Sequence, residues 1–228
     1  SQRMNEFLLA PSGTTLTAGN SGKDPLPVTE ILPKDETTGT VHNISRASNT
    51  WWRHKTQVSP SKNNAAAGAV SLADHKNELR NFYNDNTKHE GGPTDLIVCT
   101  QEWAEKYEES LEGQVRYGST ELANLGFETV YLRNAEIAWD EICPRQAADD
   151  GAYVLYNDGS AAEELAFFLN TDFLRLYVDS QSDFVNRPFM DSQDQLAKSA
   201  LVVWMGQIVC TNLRTQGVYR GTDVSAIS

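Results

Sequence analysis

Glu136 and Asp140, on either side of Trp139, are the residues of this 228-residue chain whose types and spacing come nearest to catalysis. Glycoside hydrolysis uses two carboxylates flanking a cleft, often with an aromatic platform. The ordinary reading is stronger, because among 31 acidic residues most belong to a solvated face. The four histidines, His42, His54, His75 and His89, stand in no H-x-x-x-H or H-E-x-x-H pattern, which weighs against a metal site built from them. There is no G-x-S-x-G elbow, and no cysteine lies near a histidine in sequence, so nucleophilic catalysis gains no support. Cys99, Cys143 and Cys210 are an odd number at wide spacing without a C-x-x-C pair. They read as small buried hydrophobes rather than as a zinc site or a disulfide framework. "YEESLE" lacks the D-x-D-x-D-G pattern of a calcium loop and reads as an exposed helical face. No catalytic residue, cofactor or metal is therefore predicted.

The remaining conspicuous group is Trp51, Trp52 and Arg53 in "NTWWRHKT". Neighbouring side chains of an extended segment point to opposite faces, so the two indoles need separate surroundings. Each buries roughly 150–250 Å² and seeks a partner for its N–H. One reading is core packing with a hydrogen-bonded arginine. The other is an interface anchor, since Trp and Arg dominate binding hot spots.

The elements that must position these residues are legible in part. Residues 10–40 are rich in Pro, Gly, Thr and Ser, with one apolar island at Val28, Ile31 and Leu32, and read as a long loop, either ordered or flexible. From Ser71, a plausible N-cap with Asp74 three residues on, a helix is predicted whose face carries Leu72, Leu79, Phe82 and Tyr83, stopped by Gly91, Gly92 and Pro93. "DLIVC" (95–99) reads as a buried central strand. A helix starting at Thr100 follows, with Trp103, Tyr107 and Leu111 recurring every four residues. This order suggests an α/β lobe, and "CTQEW" offers no glycine-rich phosphate loop at the turn. "ETVYL" and "EIAWD" read as strands joined at Arg133 and Asn134, and residues 143–164 as an exposed excursion. From 165 onward the chain turns to β, in "LAFFLN", "FLRLYVD" and "DFVNRPFM". In the final run 200–210 apolar residues occupy both faces, which predicts a strand between two layers.

Composition bounds the rest. Hydrophobic residues make up 39% of the chain and charged ones 22%, which suits one large domain or two small lobes with a real core. A net charge of −12 argues against a surface that wraps nucleic acid by neutralising phosphates. No apolar run reaches the roughly 20 residues of a bilayer span and no signal peptide is visible, so a cytosolic chain is expected.

Several segments, taken in order and spacing, resemble the major capsid proteins of tailed phages. They are "TVHNISRASNTWWRHKT", "GGPTDLIVCTQEWAEKYEESLE", "LANLGFETVYLRNAEIAWDEICP", "FFLNTDFLRLYV" and "QLAKSALVVWMGQIVCTNLRTQGVYRG". The match runs from about residue 40 to the C-terminus, and faintly over "RMNEFLLAPSGT". The resemblance implies an α+β chain with the Hong Kong phage capsid fold, built of an axial α/β domain and a β-rich peripheral domain. Residues 1–67 would hold the end of the spine helix, a long loop and the Trp-Trp-Arg segment; 68–165 the axial domain; and 166–228 the return to the peripheral domain. The N-terminal arm, extended loop and most of the spine helix would lie upstream of "SQRMNEFLL", so a processed or truncated subunit is expected.

The same resemblance implies a structural subunit of an icosahedral shell around DNA, assembled in the host cytoplasm and located in the virion capsid. Its partners would be other copies of itself in pentamers and hexamers, with scaffolding, portal and decoration proteins, weak non-specific contact with DNA and no membrane. Trp51, Trp52 and Arg53 would be structural anchors leading from the loop into the body. Three alternatives stand beside this: an encapsulin-like nanocompartment shell, a carbohydrate-active enzyme using Glu136 or Asp140, and a virion-surface or adhesin module.

Overall fold

The computed structural model describes residue 8 and residues 25–61, 70–88, 92–111, 130–147, 153–154, 162–191 and 198–227. Within these, short strands and few helices surround one mixed sheet, and the sheet explains where the apolar residues go. β3 (Lys55–Val58), β14 (Gly217–Thr222), β9 (Ala162–Leu169), β4 (Leu96–Cys99), β6 (Ala135–Trp139) and β5 (Val130–Leu132) follow one another across it. β3 with β14, and β4 with β6, are parallel; β9 is antiparallel to both its neighbours. One edge of β9 serves two strands in succession: β4 pairs with Ala166–Leu169, and β7 (Arg145–Ala147) with Ala162 and Glu163. β7 also pairs with β8 (Tyr153–Val154). The boundary expected between residues 165 and 166 falls inside β9, and the sheet takes strands from all three expected segments.

Strand periodicity sends alternate residues to opposite faces, and both faces of β9 are apolar. Ala166 and Phe168 join Ile97, Cys99, Ile137 and Tyr219 under two helices. Leu165, Phe167 and Leu169 join Val218 under the N-terminal segment. α2 (Leu72–Thr87) and α3 (Gln101–Glu109) cover the first face; α1 (Val28–Ile31) lies on the second.

The local signals that set α2 are the predicted ones. The Ser71 hydroxyl accepts from Asp74 N at 3.1 Å and donates to the Asp74 carboxylate at 2.7 Å, satisfying an end N–H that the helix itself leaves unpaired. Leu79, Phe82 and Tyr83 are buried, and the Phe82 ring stands edge-on to Phe168 at 4.9 Å. Trp103 and Tyr107 of α3 stack at 6.0 Å on the same face. β4 is central, as its unbroken apolar run requires. Residues 25–39 pack through Val28, Ile31 and Leu32, all buried; residues 10–24 of the predicted loop lie outside the described residues. Cys99, Cys143 and Cys210 are buried free thiols.

Two expectations are corrected. Part of the stretch read as an exposed excursion is instead built into the sheet: Cys143, Pro144 and Gln146 are buried, and Glu163 and Glu164 already belong to β9. Polar composition misled because those strands close a sheet edge beside an ion pair. The run 200–210 is no single strand between layers. It breaks at Trp204 and Met205, between β12 (Lys198–Val203) and β13 (Gly206–Cys210). Leu201 and Val202 are 57% and 63% exposed, and only Ile208 and Cys210 are buried.

Candidate assembly interface

The Trp-Trp-Arg segment forms a single 3₁₀ turn (Thr50–Trp52), not an extended strand, yet the two indoles do separate. Trp52 enters the second core face and its Nε1 donates to Val41 O at 3.3 Å. Trp51 is 54% exposed, with ring centroids 5.6 Å apart. Arg53 Nε donates to Arg46 O at 2.9 Å, and its Nη2 to Ala47 O at 3.1 Å. Sequence reasoning missed the residue that organises this corner. Arg46 is fully buried and holds two stretches of chain by three carbonyls: Thr38 O at 3.0 Å, and in α1 Glu30 O at 3.5 Å and, in a close contact, Ile31 O. Burial lowers its pKa to about 10. Nothing in "NISRASNT" distinguishes this arginine from a surface one.

Glu136 and Asp140 do not form a paired site. Asp140 shapes the turn after β6, its Oδ1 accepting from Ile142 N at 2.8 Å and its N–H bonding Cys99 O at 3.0 Å. Glu136 lies within β6, opposite Tyr131 and Leu96 in the ladders. Trp139 projects into solvent, 58% exposed. A different charged group lies close by. Arg145 of β7 contacts Glu102 of α3 and lies 3.4 Å from Glu164 of β9. Burial raises the Glu164 carboxyl, against the Thr100 hydrogen bond and the Arg145 charge that lower it. Glu102 ends lowered, because hydrogen bonding and attraction from Arg145 outweigh its own partial burial. Breaking such a buried pair leaves an uncompensated charge, so Arg145 ties strand, helix and sheet together. Among the described residues no three His, Cys, Asp or Glu side chains gather as a metal site, and no helix is long and apolar enough to cross a membrane.

The feature without a counterpart in the body is a two-stranded arm between residues 174 and 210. β10 (Leu174–Val178) pairs with β13, and β11 (Val185–Asp191) with β12. Asp179 N donates to Met205 O at 3.0 Å and Met205 N to Ser182 O at 2.9 Å, which laces the two ladders into one. Pro188 lies where the β11 register shifts, a place in a ladder where a residue without an N–H is tolerated. At the bend, a Cβ on Gly206 would lie 2.3 Å from the Trp204 ring, so only glycine allows that ring to fold back.

Of eleven large apolar side chains that are exposed among the described residues, all but Trp51 and Trp139 lie on this arm. Phe189 reaches 72% exposure. Nine such side chains, about half exposed, offer on the order of 700 Å² of apolar surface, divided between the two faces of the ribbon because successive strand residues point opposite ways.

The arm leaves the body through a braced root. Asn170 N donates to Gln216 Oε1 at 2.9 Å, and Gln216 Nε2 returns a bond to Asn170 O at 3.1 Å. Asn170 Nδ2 donates to Pro93 O at 3.1 Å, and Thr171 N to the Asp95 carboxylate at 2.9 Å. Thr211 N bonds Phe173 O at 2.9 Å across the two strands.

No family model matches the sequence, and no curated protein matches it. Six solved chains do match. One is a chain of the cyanophage A-1(L) capsid asymmetric unit, with a TM-score of 0.58 and 18% sequence identity over 97% of this chain and 65% of that one. This chain thus spans about two thirds of the length of the capsid chain it matches. A likeness at that identity concerns the architecture, and on that ground the fold of this chain, a mixed sheet with few helices and a projecting two-stranded arm, is a phage capsid fold.

Proposed function

We propose that this chain is the structural coat subunit of a tailed-phage type of icosahedral shell, assembling with copies of itself around packaged DNA. The observation that carries the reading is the arm. A two-stranded ribbon with apolar side chains on its surface is marginal alone in water, and among the described residues no other part of the chain covers the apolar side chains of residues 176–189 or 201–202. Burial against a neighbouring copy would remove that surface from water at about 25 cal/mol per Å². The solved chain that shares the fold belongs to a capsid asymmetric unit, which favours a second copy as the occupant. The braced root fits a contact element held in a set direction. The axial and peripheral parts expected from the resemblance are kept in this proposal, with the helix-covered face axial and the arm peripheral. The role is geometric and not catalytic, and Trp51, solvent-facing beside buried Trp52, is proposed as a further contact residue. The −12 charge suits a shell whose lining must not hold DNA tightly.

Sedimentation velocity of the chain, beside a variant carrying Phe189→Asp and Leu201→Asp, tests this. The unaltered chain is expected to sediment as capsomers or larger particles, and the variant as a folded monomer. If the unaltered chain remains monomeric at all concentrations, or the variant assembles equally well, the proposal fails.

A further inference from the structure

The root of the arm is held by one bond of a different kind from the amide and backbone pairs. Cys210 ends β13 opposite Leu174, where the ribbon joins the body. Its N–H donates to Nε2 of His42 at 3.1 Å, across 168 positions of sequence. Only a neutral imidazole nitrogen accepts a hydrogen bond; an imidazolium carries N–H on both nitrogens.

His42 is presented on a fixed platform. It and Asn43 form the two-residue turn between β1 (Thr40–Val41) and β2 (Ile44–Ser45), with φ of 50° and 65°. Such a turn needs left-handed backbone at both positions and is filled at least cost by Asn, Asp or Gly. Histidine there is a costlier choice, and a residue held in that region invites a search for its use. The hairpin itself is pinned by buried Val41, whose carbonyl takes the Trp52 indole N–H, and by Arg46, whose N–H bonds Gly39 O at 3.1 Å.

We propose that His42 is a proton-operated latch on the arm: neutral, its Nε2 clamps the Cys210 amide and fixes the arm's root; protonated, it releases that amide and loosens the root. Arg46, next to β2, interacts electrostatically with Cys210 on β13, Tyr153 on β8, Glu30 in α1 and Asp35 after it, whereas the influence resolved on His42 itself is its burial. The depression of the His42 pKa from its ordinary 6.5 comes from burial, so the latch is closed at neutral pH and opens on acidification. The device acts within one chain and does not depend on the coat reading.

Amide hydrogen exchange over residues 206–212, corrected for intrinsic rates and followed from about pH 7.5 to 4.5, tests the latch in the 228-residue chain. His42→Gln keeps an acceptor near the Nε2 position without a titrating group. His42→Asn suits the left-handed turn but falls short of Cys210. Unaltered chain is expected to lose about tenfold protection at the Cys210 amide on acidification, the size of one net hydrogen bond, over and above any loss in His42→Gln. His42→Asn should lack that protection already at neutral pH. The proposal is overturned if unaltered chain and His42→Gln lose protection alike. It is equally overturned if His42→Asn is as protected as the unaltered chain at neutral pH.

Discussion

Phe167 and Phe168 in β9 are fully buried, whereas Phe189 in β11 is nearly free in solvent, although each lies in a strand paired in an antiparallel ladder. The difference is what lies above and below. β9 has α2 and α3 on one side and Trp52, Leu32 and Leu213 on the other, so each of its faces finds a layer of its own chain. β11 has one ladder partner, β12, and among the described residues no layer covers it. Strand-forming sequence therefore specifies a ribbon in both places, and only the number of covering layers decides whether it becomes core or contact surface.

That comparison breaks most sharply by truncation. Phe168→Ala removes a fully buried ring packed edge-on against Phe82, and should cost about 3–5 kcal/mol, the range for large-to-small aromatic changes in cores. Phe189→Ala should change monomer stability by less than about 0.5 kcal/mol, as exposed positions do. Urea midpoints of the two variants measure the contrast directly. Equal losses would mean that the arm is core after all.

Acid should separate the regions next. Burial, followed by the Arg46 charge, lowers the His54 pKa to about 3; burial, followed by the Lys106 charge, lowers that of His75 to about 4. Their folded forms resist protonation while the unfolded chain takes protons near 6.5, so stability is lost as pH falls through 6.5 towards 4. At pH 4.5 the loss is about 2–3 kcal/mol for each histidine. Burial of Glu164 raises its carboxyl and offsets part of this at low pH. Both histidines lie in the body, so the urea midpoint should fall with pH in unaltered chain, and His75→Leu should flatten that slope. An unchanged slope in the variant would remove His75 from the account.

The smallest effect probes the boundary. Gln216→Ala deletes the reciprocal amide bonds to Asn170 and leaves buried groups unpaired, costing about 1–3 kcal/mol. The loss should concentrate at the arm: exchange in residues 174–178 and 206–210 rises while Ile97 and Cys99 stay protected. Uniform loss across both would show that the root is an ordinary part of the core.

Much of the body was legible in the chain. The Ser71 and Asp74 pair, the four-residue recurrence of Trp103 and Tyr107, and the unbroken "DLIVC" each rest on interactions within a few residues or on a single period, and each lies where expected. Arg46, Arg145 and Gln216 were not legible, because their partners are 8 to 46 or more positions away and their surroundings in sequence are polar. That Trp51 and Trp52 would need separate surroundings was legible; the 3₁₀ turn that replaced the expected extension, and which indole the core would take, were not.

By itself the sequence determined the two long helices, the central strand β4 and the amount of apolar surface that had to be hidden, since these follow from local propensity and periodicity. Tertiary structure alone decided which surface stayed uncovered. In 200–210 both faces are apolar, a pattern equally suited to a strand between two layers and to a ribbon awaiting another molecule. The choice depended on whether the rest of the chain could reach it, and α1, α2 and α3 were already committed to the two faces of the central sheet.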